Sequence, residues 1–149
     1  MNASRPHPTP DEARERLDVS SRGTLRNRRD RRIHATGTAV IGVVIASTLA
    51  TQNVVGPRGD IVRNVALLVL VLGAIVWMER AATTVPRRVR LLSRVGVGLS
   101  FVLGLTVALP WLNLRAQTEP NTWAMALGAA AVIAVPALVS AVAIATGRR

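Results

Sequence analysis

The chain lacks cysteine and lysine, and it is poor in aromatic and acidic residues. With no cysteine among its 149 residues it can form no disulfide, thiolate nucleophile or cysteine metal site, and His7 and His34 are its only imidazoles. Its few carboxylates include Asp60, Glu79 and Glu119, which fall at the ends of apolar runs or between them. Hydrolysis needs a nucleophile beside a base, and ion-coupled transport usually needs an ionisable group inside the membrane. We therefore expect no enzyme activity, no metal and no cofactor.

Apolar residues make up half of the chain and are concentrated in four long runs. The runs span about 33–55, 61–78, 95–114 and 123–146. A helix of roughly 20 residues is about 30 Å long, which matches the hydrocarbon thickness of a bilayer. The two-residue alternation of a membrane β-barrel is absent. The sequence predicts an all-α membrane protein, an antiparallel bundle of four transmembrane helices joined by short connections, in residues 33–149.

Arginine is distributed unevenly among the segments that flank these runs. The segment before Ile33, the middle connection and the C-terminus carry sixteen of the nineteen arginines, and the other two connections carry three. Because arginine near a spanning segment resists translocation, both termini and the middle connection should face the cytoplasm. Trp77, Trp111 and Trp123 fall at the ends of the runs, where indoles anchor helices at membrane interfaces. All three positions agree with this orientation.

Residues 1–32 form a basic N-terminal arm that this orientation places in the cytoplasm. Thr9, Pro10 and Glu12 have the spacing of a capping box and predict that a helix begins at residue 10. We expect a short helix over 10–19, ended by the Ser20 to Gly23 segment. A cleaved signal peptide is the alternative interpretation, but the arm is long and partly acidic, and no clear cleavage site follows the apolar run.

Small residues recur every four positions in three of the runs. Membrane helices associate through such residues because lipid is as apolar as leucine and offers no hydrophobic driving force between helices. We therefore expect helix contacts along these stripes, a lipid-facing second helix, and a third helix at the bundle centre or in a homo-oligomer contact. The alternative is that Gly and Ala are simply common in such helices. The predicted packing residues are Gly42, Ala46, Ala50, Gly96, Ser100, Gly104, Ala108, Ala137, Ala141 and Ala145.

The arginine clusters are also candidates for binding anionic lipid headgroups, at roughly 1 kcal/mol for each charge near the surface. Nucleic-acid binding is the alternative, but no aromatic residue is interleaved with the arginines for base stacking. The predicted lipid contacts are Arg28, Arg29, Arg31, Arg32, Arg87, Arg88, Arg90 and Arg94.

Pro136 interrupts the fourth run and could be either a static kink or a hinge.

The layout of the whole chain resembles a known group of proteins. The segment from Asp11 to Asp18, followed by an arginine-rich linker and four apolar runs, resembles small uncharacterised four-span integral membrane proteins of actinobacteria. The resemblance implies a bacterial cytoplasmic membrane and nothing about activity. The sequence favours a structural, accessory or partner-binding membrane subunit, with lipids and a membrane-protein partner or a second copy as its ligands. The alternative is a small oligomeric transporter, channel or holin-like pore-former.

Overall fold

A computed structural model of the protein describes residues 9–52, 54, 57–82 and 85–147, and within these residues the fold is all-helical. Four helices are long and apolar enough to cross a membrane. His7, the C-terminal Arg148 and Arg149 and part of the predicted end of the first span lie outside the described residues. The elements are α1 (Pro10–Ala50), α2 (Pro57–Ala81), α3 (Arg87–Leu103), a π-helical segment (Gly104–Ala108), α4 (Leu109–Ala116) and α5 (Trp123–Thr146).

Helix α1 begins with the predicted capping box. The Glu12 backbone N–H donates to Thr9 Oγ1 over 3.3 Å, and the Thr9 N–H donates to a Glu12 carboxylate oxygen over 3.0 Å. The prediction that this helix ends near residue 19 is wrong, because α1 continues without interruption to Ala50. A glycine inside a helix costs only about 1 kcal/mol relative to alanine, and no proline lies between Pro10 and Pro57 to stop the helix.

The 41 residues of α1 make it about 60 Å long, roughly twice the thickness of the hydrocarbon core. Its second half packs within the bundle, whereas nearly every described side chain of its first 20 residues is exposed. The exposed part includes Leu17 and Leu25. We refer to residues 10–29 as the α1 extension. Helix α1 ends at Ala50, where the Thr51 N–H donates to the Ser47 carbonyl, so the first span is shorter than expected.

Helices α3 and α4 form one continuous helix with the π-helical segment between them. Pro110 lies two residues after this segment and has no N–H for an α-helical bond to the carbonyl four residues earlier. The helix nevertheless continues through it to Ala116. Pro110 therefore neither ends the third span nor leaves it regular.

Helix α5 starts at an N-cap and ends at a C-cap that both suit their residues. Thr122 Oγ1 accepts from the Met125 N–H, and Gly147 has the left-handed backbone (φ 65°) that favours glycine at a helix end. The Arg31 guanidinium lies beside Gly147, where its charge meets the negative end of the α5 dipole. This contact ties the end of α5 to α1.

Helix α1 is the helix on which the others pack: it contacts α2, α3 and α5, while α3 also packs on α5. The first span, and not the third, is therefore at the centre of the bundle, and the other alternative for the third span, a homo-oligomer contact, stays a prediction. Helix α2 packs mainly on α1 through Met78 and the half-buried Leu67, Val71 and Ala74. Only 6% of its most apolar stretch is buried. The protein thus has a three-helix core with α2 attached to its side.

Candidate functional site

A groove of about 840 Å³ lies between α1, α2 and α3. It exists because α2 packs mainly on α1, which leaves the side of α2 facing α3 without a closely packed neighbour. Its lining residues are His34, Ile41, Ile45, Val71, Ile75, Met78, Glu79, Ala82, Arg90, Ser93, Arg94, Val97, Gly98 and Phe101.

The polar lining of the groove is confined to one end, which we call the arginine end. His34 comes from α1, Glu79 from the end of α2, and Arg90 and Arg94 from the first two turns of α3. The arginines lie four residues apart, on one face of a helix. Two guanidinium groups against one carboxylate give this end a positive charge.

The rest of the groove is apolar and extends away from the arginine end. Ile41 and Ile45 line it from α1, Val71 and Ile75 from α2, and Phe101 from α3. With the arginine end included, the lining covers eleven residue steps on α1 and on α3, which corresponds to about 16 Å. The apolar part accounts for roughly 6–10 Å of this length.

A pair of buried hydroxyl groups lies between α1 and α3 beside the arginine end. Thr38 Oγ1 and Ser93 Oγ are 2.7 Å apart, and Thr38 also donates to the His34 carbonyl over 2.7 Å. Because the Thr38 proton is used in that second bond, Ser93 is the donor of the pair. His34 Nδ1 is buried and makes no hydrogen bond.

The structure brings nine of the ten predicted packing residues into the interior, and Ala145 is the exposed exception. Ile144 takes the buried position at that turn of α5. A Cβ atom on Gly42 would overlap that of Ala137, and one on Gly104 would overlap the end of the Leu49 side chain. Helices α1, α3 and α5 therefore approach one another along these three stripes.

Ser100 makes a hydrogen bond that sequence reasoning did not foresee. Its fully buried Oγ accepts from the Ala137 backbone N–H over 3.1 Å, next to Pro136. A proline interrupts the helix ladder around it, so backbone groups near it need partners from neighbouring helices. The hydroxyl of α3 supplies one of them at this point in α5.

The predicted lipid contacts and interface anchors are on the surface. Trp77, Trp111 and Trp123 are exposed. All eight arginines are exposed except Arg31, which is half-buried beside Gly147. Arg90 and Arg94 are distinct from Arg87 and Arg88 because they also line the groove.

Two charged residues have contacts or burial that sequence reasoning missed. Asp30, which directly follows the α1 extension, is 3% exposed, and its only sequence signal is its spacing of four from Arg26 and His34. Arg63 Nη1 donates to the Thr51 carbonyl over 3.0 Å and so binds α2 to the end of α1. Within the described residues, no three histidine or acidic side chains cluster in a way that could hold a metal ion.

Comparison of the chain with protein-family models, with curated proteins and with solved structures gives no match.

Proposed function

We propose that the chain is a non-catalytic subunit of a bacterial cytoplasmic membrane, which anchors the α1 extension and presents it to a partner protein. The observation that carries this proposal is the continuous α1, whose second half packs in the bundle while its first 20 residues project from it. A lone helix of that length is marginal in water, and here it is nucleated by the bundle that continues it.

The proposed arrangement is an antiparallel bundle with the arginine end and both termini in the cytoplasm. Two pairs of contacts support it: Arg31 lies beside Gly147 and Gly42 faces Ala137, so the sequence numbers of α5 fall as those of α1 rise. The arginine count supports the orientation, because the described arginine-rich segments lie at one end of the bundle.

The α1 extension is suited to a protein partner by its charge and length. It carries both signs of charge with arginine in excess, and it exposes Leu17, Val19 and Leu25. Ion pairs at four-residue spacing stabilise such a helix, and because it has no apolar stripe to bury, its charges are the main feature it offers to a partner. We propose a partner with an acidic surface at the cytoplasmic face.

A pore or carrier would need polar groups of the first span to line a water-filled path. Thr38 is bonded to Ser93 and to its own helix, and Thr48 donates to the Val44 carbonyl. Most of the residues that line the groove are apolar. These features favour the partner-binding subunit over the pore.

Single-cysteine labelling tests the arrangement, since the natural chain has no cysteine to interfere. Thr118→Cys, in the connection between α4 and α5, should react with a membrane-impermeant maleimide in intact cells. Thr24→Cys, in the α1 extension, should react only after the cells are opened. The unmodified chain is the control, and the reverse labelling pattern would refute the orientation.

Site-specific photocrosslinking tests the partner. A photoreactive amino acid at Leu25, in the α1 extension, should give one discrete protein adduct in native membranes. The same photoreactive amino acid in place of Leu114, which is exposed at the opposite end of the bundle, is the matched control and should not give that adduct. Lack of any adduct at Leu17, Val19 and Leu25, or dye release from vesicles that contain the purified protein, would argue against this function.

A further inference from the structure

We propose that the groove between α1, α2 and α3 is a binding site for one anionic glycerophospholipid of the leaflet at the arginine end. This proposal differs from general headgroup attraction by surface arginines, because it assigns one lipid molecule to one defined site. It rests on the proposed function only in requiring that the helices lie in a bilayer.

The charge of the groove matches a phosphate headgroup. Arg90 and Arg94 line its arginine end from one face of α3, and guanidinium groups bind phosphate through charge-assisted hydrogen bonds. Glu79 is the one carboxylate of the lining, so the charge there favours an anionic lipid over a zwitterionic one.

The apolar part of the groove matches an acyl chain in direction. It starts at the charged residues and continues along Ile41, Ile45 and Phe101 for roughly 6–10 Å of a total groove length of about 16 Å, enough for the part of a chain nearest the headgroup. The charged end and the apolar end therefore have the same order as the headgroup and the chain of a lipid. A soluble anion would use the first part and leave the second without a ligand.

Gly98 leaves room for the chain. A Cβ atom placed on it would have no heavy atom within 4 Å, although the residue lines the groove between Val97 and Phe101. A side chain at this position therefore begins in open space at the groove, and it would also favour the helix over glycine. A larger residue at Gly98 is thus expected to fill groove volume while the fold is kept.

Native mass spectrometry of the purified full chain in mild detergent tests the proposal. With phosphatidylglycerol as the probe, we expect one bound lipid per chain, and with phosphatidylcholine no saturable adduct. The double substitution Arg90→Gln/Arg94→Gln should weaken phosphatidylglycerol binding by about thirtyfold, from the usual contribution of two arginines. The matched control is Arg87→Gln/Arg88→Gln, which removes the same charge outside the groove. Equal weakening by both double variants would overturn the proposal in favour of diffuse surface attraction.

The second pair of variants tests the apolar part. Gly98→Leu should abolish the saturable adduct, while Gly128→Leu, on α5 and equally free of neighbours, should retain it. Both variants should elute and unfold like the natural protein. Retention of the lipid in Gly98→Leu would overturn the proposal.

Other occupants of the groove give different results. Displacement of the lipid by millimolar inorganic phosphate would indicate a simple anion site, and a dimer that excludes the lipid would indicate a second copy; each would overturn the proposal. Glu79→Gln should bind phosphatidylglycerol at least as tightly, and weaker binding would contradict the headgroup assignment. Lipid binding is measured on the isolated chain, so it can be absent while photocrosslinking at Leu25 still finds a partner protein. Equally, the lipid can bind while no partner is found, so the two proposals can be refuted separately.

Discussion

At the residue scale, the bundle depends on a few positions where the backbone of one helix meets its neighbour. Gly42 and Gly104 both lie at such contacts, but their neighbours differ. Gly42 faces the Cβ of Ala137, which is fixed to the α5 backbone, whereas Gly104 faces the terminal methyl of Leu49, which can rotate away. The same substitution should therefore have different costs at the two sites.

We predict that Gly42→Ala destabilises the protein more than Gly104→Ala. Overpacking that has to move a backbone costs about 1–3 kcal/mol, and the gain in helix propensity of up to about 1 kcal/mol offsets only part of it. Unfolding in mixed detergent micelles measures both changes. Gly73→Ala, which has open space around its Cβ, is the control and should be neutral or stabilising. Equal effects at all three positions would contradict the packing described for α1 and α5.

The Ser100 hydroxyl provides the second prediction at this scale. Ser100→Ala removes the buried acceptor of the Ala137 N–H, which should lower stability by about 1–2 kcal/mol. Thr106→Ala removes an exposed hydroxyl that bonds only the Val102 carbonyl of its own helix, and it should change stability by less than half as much. If the two variants unfold alike, the bond between α3 and α5 has no measurable role.

At the scale of the helices, the π-helical segment explains how a four-residue stripe stays on one face. In an α-helix each step of four residues advances by about 40° beyond a full turn, so a stripe drifts away from a fixed neighbour. Gly96, Ser100, Gly104, Ala108 and Leu112 are nevertheless all buried. The wider π turn between Gly104 and Ala108 removes part of this drift.

We predict that deletion of Thr106 is tolerated better than deletion of Leu99. Thr106 is exposed within the π-helical segment, and removing one residue there converts the π turn to an α turn with the flanking faces still in place. Leu99 is exposed in the regular part of α3, where a deletion rotates the two parts of the helix by about 100° relative to each other. Monodisperse elution in detergent should be kept by the first variant and lost by the second. The opposite order would show that the π turn is required.

The helices also show how far the sequence could predict the fold. Bilayer thickness sets the length of a spanning helix, so the four apolar runs of that length predicted four long helices. The capping residues predicted the start of α1. The prediction that the Ser20 to Gly23 segment ends the helix is wrong because the helix-breaking propensity of these residues is small compared with the stability of a helix already nucleated on both sides of them. The groove could not be predicted, since it depends on α2 packing mainly on α1, and no residue pattern within α2 specifies that partner.

At the scale of the whole molecule, charge and packing describe the same asymmetry. The end of the bundle that contains the arginine end of the groove also contains the start of α3, the ends of α2 and α5 and the base of the α1 extension. At the opposite end of the bundle, the connection between α4 and α5 carries no arginine beyond Arg115. Orientation in a membrane depends on the sum of such charges near the helix ends. It should therefore resist the loss of any single cluster.

We predict that Arg87→Gln/Arg88→Gln leaves the orientation unchanged, as fourteen arginines would still oppose three. A fluorescent protein that matures only in the cytoplasm, fused after Arg149, should remain bright in this variant. A matched variant adds arginines instead of removing them: Gln117→Arg, Thr118→Arg and Asn121→Arg place new charge in the connection between α4 and α5. This variant should lower the signal more than the first, because it adds charge that resists translocation to the connection that crosses the membrane in the proposed orientation. If the first variant alone turned the reporter off, the middle connection, and not the sum over the molecule, would set the orientation.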